Sequence, residues 1–115
     1  MNQELLKARC KGMALRAMNV VGHLPRTIAG RVIADQLMRS ATSVAANYRA
    51  ACRARSKAEF VAKLSIVVEE ADDTMLWLEL VGDGGLLPAD RIKDLLTEAD
   101  EITAIMVASR KTASS

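Results

Sequence analysis

The segment from Leu37 to Glu79 constrains the fold most. It carries one long helical pattern into a basic hinge, Arg49-Ala-Ala-Cys-Arg-Ala-Arg55, and restarts at once with Ser56-Lys-Ala-Glu59. Ser56 and Glu59 stand at capping-box spacing: the serine hydroxyl accepts from the Glu59 amide, and the carboxylate reaches back to the Ser56 amide. Beyond the hinge, Phe60, Leu64, Val67, Ala71, Thr74, Leu78 and Val81 alternate steps of four and three, the seam of a bundle helix. This block alone predicts two long antiparallel helices joined by a charged elbow.

The rest of the chain repeats the pattern. A first helix is predicted over about 3–22, with Leu6, Cys10, Met13, Ala17, Val20 and Leu24 on one face. Gly22-His23-Leu24-Pro25 ends it, because proline disfavours helical geometry just before itself. A second, over about 28–51, has Thr27 as N-cap and Val32, Leu37, Ala41, Val44, Tyr48 and Ala51 as its stripe. Beside that stripe runs a row of small polar groups: Gln36, Ser40, Ser43 and Asn47. Ala41, Ala45 and Ala46 keep this helix thin, so a neighbouring backbone comes close. The third helix, about 56–82, stops at Gly82-Asp-Gly-Gly85. The fourth, about 88–110, begins near Pro88, which suits a first helical turn, and carries Ile92, Leu95, Leu96, Ala99, Ile102, Ile105 and Met106. The tail from Lys111 has no pattern and is expected to fray. Half the residues are apolar, but only Tyr48, Phe60 and Trp77 are aromatic, a composition that packs helices rather than sheets. Four helices with short loops predict one all-α domain over residues 1–115, an up-down-up-down antiparallel four-helix bundle.

Several functions are disfavoured. No apolar run approaches the roughly 18 residues of a membrane span, and Met1-Asn-Gln-Glu-Leu-Leu-Lys7 has no signal-peptide core. The expected compartment is the cytoplasm, with no membrane partner. Cys10 and Cys52 then read as free thiols packed as small hydrophobes. Acid pairs such as Glu69/Asp73 and Glu70/Asp73 lack the Glu-x-x-His partners of a di-iron bundle, and the single histidine, His23, sits at a helix end. No metal or cofactor is expected. Ser40, Ser43 and Asn47 have no basic partner at a natural spacing, so they read as close-packing hydrogen-bonding residues at an interface rather than as catalytic groups. The protein is not expected to be an enzyme.

Charge carries the functional hint. Residues 1–63 hold 12 Lys/Arg and 3 Asp/Glu, whereas residues 64–115 hold 4 and 11. The bases concentrate at the elbow in Arg49, Arg53, Arg55 and Lys57, with Arg39 further up the second helix. Such a cluster binds phosphate by charge and counterion release, without reading sequence. The same arginines also suit a solvated helix end, complementing the C-terminal dipole. A third use is to meet acids such as Glu69, Asp72, Asp94 and Glu98, inside one bundle or head to tail between subunits. Leu76, Trp77 and Leu80 fall off the seam and make the end of the third helix apolar nearly all round, so a second subunit is expected to cover part of it. Candidate interface residues are therefore Leu76, Trp77, Leu80, Ser40, Ser43 and Asn47.

Leu37-Met-Arg-Ser-Ala-Thr-Ser-Val-Ala-Ala-Asn47, followed by Arg55-Ser-Lys-Ala-Glu-Phe60 and Leu64-Ser-Ile66, resembles a known family. This family comprises small bacterial proteins first noticed as reading frames inside intervening sequences of 23S ribosomal RNA genes. Its pattern is approximately L-R-R-A-x-x-S-I-A-A-N-I-A-E-G, then R-S-x-x-E-F, then a long helix. Where the family usually reads Asn-Ile-Ala-Glu-Gly, this chain reads Asn47-Tyr48-Arg49-Ala50-Ala51, so any role of that acid does not carry over. The resemblance implies a four-helix bundle and a ring-forming homo-oligomer, notably a pentamer, of undefined biochemical role. A related branch, the accessory proteins of diversity-generating retroelements, forms basic barrels that bind nucleic acid and a reverse transcriptase. The expected partners are thus further copies of the chain, RNA or DNA, and a protein.

Overall fold

A computed structural model of the chain describes residues 2–115. Its elements are α1 (Gln3–Gly22), α2 (Ile28–Cys52), α3 (Lys57–Asp83) and α4 (Lys93–Ser114), with a 3-10 turn at Ala89–Arg91. Each helix packs on its neighbour in sequence, and α1 closes the square lightly on α4. The result is a four-helix bundle of 44 × 21 × 20 Å.

Local chemistry sets the ends. The side chains of Asn2, Thr27 and Ser56 accept from the amides of Leu5, Gly30 and Glu59 at 2.8, 3.0 and 3.1 Å, filling orphan donors of the first turn. Only the serine half of the predicted capping box closes, because the Glu59 carboxylate lies 3.8 Å from the Arg55 guanidinium instead. The His23 ring nitrogen Nδ1 lies 2.8 Å from the Asn19 carbonyl at the end of α1. Past α3, Gly85 takes φ 70°, and the Leu86 amide reaches back to the Val81 carbonyl at 3.0 Å. A residue without Cβ suits that left-handed position.

The core follows the predicted seams. Leu6, Cys10, Met13 and Ala17 meet Leu37, Ala41, Val44, Leu64, Val67 and Leu78, with Ala99, Ile102 and Met106 closing the far side. The second helix differs from expectation at its start: Val32 is 53% exposed. Ile33, one residue further round the helix, packs on the core in its place. Gly30 is buried there, and a Cβ on it would lie 2.0 Å from the Pro25 carbonyl oxygen. The fourth helix also begins later than expected. Pro88 is extended at ψ 138°, and the 3-10 turn brings Ile92 under Gly82, where a Cβ would lie 3.3 Å from Ile92 Cδ1. At the other end α4 runs on to Ser114 instead of fraying at Lys111. The Ser114 hydroxyl bonds the Arg110 carbonyl at 2.9 Å, and Lys57 Nζ donates to the Ser115 carbonyl at 3.1 Å.

Candidate nucleic-acid interface

The α2–α3 elbow lies at the pole where α1 begins and α4 ends. Arg49, Arg53, Arg55 and Lys57 are all exposed there. Arg49 and Arg53 form no ion pair among the described residues, and Arg55 meets only the loose Glu59 contact. The helix geometry explains this exposure: Tyr48 and Ala51 turn inward as seam residues, which rotates Arg49 and Arg53 outward.

The bases that tie the bundle together lie elsewhere. Arg9 on α1 grips Glu98 on α4 with two donors, Nε to Oε2 at 3.0 Å and Nη2 to Oε1, and Nη2 also donates to Glu101 at 3.0 Å. This contact lowers the Glu98 pKa below the usual carboxylate range and raises that of Arg9. Arg39 on α2 donates to both Glu70 oxygens at 3.3 Å and to Gln36. Arg39 also stands about 15 Å up the helix from Arg49 at 1.5 Å per residue. The structure therefore separates Arg39 from the elbow cluster and commits it to an α2–α3 contact.

Beside the elbow, α1 and α2 enclose an open groove of about 490 Å³ lined by Glu4, Lys7, Lys11, Thr42, Ala45, Ala46 and Arg49 among others. Ala45 and Ala46 form a shallow floor. Lys7 pairs with Glu4 at 2.8 Å, while Lys11 is exposed with no ion pair among the described residues. Sequence reasoning passed over Lys7 and Lys11. Their signal was a four-residue step on the flank of the α1 stripe, facing the alanine-thinned side of α2.

The six candidate interface residues divide. Leu76 and Leu80 are exposed, at 46% and 40%. Trp77 is half-buried against the core, and its indole N–H is buried without an acceptor among the described residues. Asn47 donates to the Ser43 carbonyl and hydroxyl at 3.0 and 2.9 Å along one face of α2. Ser40 is fully buried, and its hydroxyl lies 2.9 Å from that of Thr74 on α3. Ser40 thus serves the α2–α3 contact inside one protomer and is out of reach of a second copy. Cys10 and Cys52 are free thiols, and burial pushes the Cys10 thiol up to about 12. No helix is long and apolar enough to cross a membrane among the described residues.

Residues 6–108 match the family model of the 23S rRNA-intervening sequence protein. The chain belongs to this family. A crystal structure of a family relative agrees: a protein of unknown function from the S23 ribosomal protein family of Bacteroides thetaiotaomicron VPI-5482, solved at 1.70 Å. It is 30% identical, superposes with a TM-score of 0.87, and is matched over 96% of this chain and 99% of its own. No curated protein matches. In this intervening-sequence family member the four-helix bundle is the feature shared with that solved relative.

Proposed function

We propose that this protein is a non-enzymatic, self-assembling bundle that binds nucleic acid, RNA or DNA, without sequence preference at its elbow pole. One observation carries the reading: the basic residues are divided between two tasks. Arg9 and Arg39 hold acids across the bundle, whereas Arg49, Arg53, Arg55 and Lys57 face solvent beside the groove that holds Lys7 and Lys11. Arg49 and Arg53 form no ion pair among the described residues, and exposed bases suit phosphate; an assembly would multiply a weak patch into avidity. Self-assembly is supported by the exposed Leu76 and Leu80 and by the resemblance to ring-forming proteins, pentamers among them. The test is fluorescence anisotropy of labelled RNA and DNA across a salt series. Log affinity should fall linearly with log salt, with a slope of about −0.7 to −0.9 per phosphate neutralised. Absence of binding at low salt would overturn the reading.

A second reading makes the protein a scaffold whose basic and acidic faces pair between subunits or with a protein partner. It is favoured by Glu69, Asp72, Asp73 and Glu79, which form no ion pair among the described residues. Under that reading, losing the elbow arginines would break the assembly itself.

A further inference from the structure

Two helices carry a second stripe on the side turned away from the core. On α1 it is Leu5, Ala8, Gly12, Leu15 and Asn19; on α3 it is Ile66, Glu69, Asp73, Leu76 and Leu80. Both step by three and four, and both extend over about 21 Å at 1.5 Å per residue. Leu5 and Leu15 are 57% and 56% exposed, and Ile66, Leu76 and Leu80 are 38%, 46% and 40% exposed. A Cβ added at Gly12 would meet nothing within 4 Å, so the middle of the α1 stripe is open. The charges beside the stripes are opposite. Lys11 and Arg16 flank the first, with Lys7 beside them already paired to Glu4, while Glu69 and Asp73 lie within the second and Asp72 beside it.

We infer that α1 of one copy docks on α3 of a second copy through these stripes. The inference rests on the self-assembly reading above and names its two faces. The occupant is a second copy because this chain supplies both halves: a basic apolar stripe and an acidic apolar stripe of equal length. α1 and α3 run in the same direction on non-adjacent corners of the bundle, so the contact is heterologous and can propagate from copy to copy. In parallel register Leu5 meets Ile66 and Leu15 meets Leu76. The small Ala8 and Gly12 then stand opposite Glu69 and Asp73, leaving room for the acids to reach the flanking bases. The elbow arginines take no part in this contact, whereas Lys7, Ala8 and Lys11 belong both to the docking face and to the groove beside the elbow.

Sedimentation velocity on the purified chain and three variants tests this. The wild type should run well above the 12.4 kDa of one chain. Leu15→Glu blocks the α1 face, and Leu80→Arg blocks the α3 face. Each variant alone should run as a monomer with unchanged helical circular dichroism, since both side chains are exposed. An equimolar mixture of the two should form a 1:1 dimer, because one intact face of each kind remains. Gly12→Gln, which enters open space and favours helix, should also give a monomer. A monomeric wild type would overturn self-assembly and this inference together. An assembled wild type whose variants keep its mass, or whose mixture stays monomeric, would overturn the docking faces alone.

Discussion

The Ser40–Thr74 pair shows how much one buried hydrogen bond depends on both partners. Thr74 Oγ1 also lies 2.8 Å from the Glu70 carbonyl, and Ser40 Oγ lies 3.3 Å from that of Leu37. Both side chains are fully buried. Thr74→Val keeps the shape and removes one hydroxyl, leaving Ser40 with its single long bond, and should cost about 1–2 kcal/mol. Adding Ser40→Ala removes the stranded group, and the double variant should recover most of that loss. Urea midpoints of the four chains close the cycle; additive losses would show that the hydroxyls act independently. The seam spacing made Thr74 legible as a core position, and the small polar row marked Ser40 as a close-packing residue. Their partnership was not legible, because it depends on the register of α2 against α3. The burial of Gly30 under the Pro25 carbonyl was hidden for the same reason.

At the scale of helices, the weakest packing is that of α1 on α4, and there the charge-assisted clasp from Arg9 to Glu98 and Glu101 sits. The Arg9 and Glu98 side chains are 24% and 21% exposed, so solvent screens the pair and its contribution should be about 0.5–1 kcal/mol. Its pH dependence follows from Glu98, whose pKa is lowered in the folded chain, first by the hydrogen bond from Arg9. The stabilisation is therefore present above the unfolded value, about 4.3, and is lost as pH falls through the depressed folded value. Arg9→Met should lower stability at pH 7 and make little difference at the acid end. Thermal melts of both chains from pH 7 downward would read this, and an equal gap at every pH would assign the effect to packing instead. The elements themselves were largely legible, since steps of three and four and the Ser, Thr, Gly and Pro signals place all four helices. Val32 was a misreading of the spacing: it stands five residues before Leu37, whereas Ile33 stands four before it and continues the helical step. The α4 start misled because Pro88 suits a helix and a 3-10 turn equally well.

For the molecule as a whole, charge is sorted by task. The basic half and the acidic half are visible in the sequence, but the number of bases spent inside the bundle is not, since ion pairing needs the packed geometry. Arg9 and Arg39 are committed to acids across the bundle, whereas Arg49 and Arg53 at the elbow form no ion pair among the described residues. Reversing Arg49, Arg53 and Arg55 to glutamate should therefore leave the helical content and native mass unchanged while RNA affinity falls at least tenfold at low salt. Anisotropy together with sedimentation would separate the two proposed functions, because a loss of assembly with the charge reversal would favour the scaffold. An even number of antiparallel helices has one more consequence. It returns the chain to the pole where it began, so Asn2, Ser115 and the elbow are neighbours, as the Lys57–Ser115 contact makes concrete. A tag or reporter fused at either end would overhang the very arginines under test. The Gly82–Leu87 turn, a bundle length away, is the place to attach a surface or a dye.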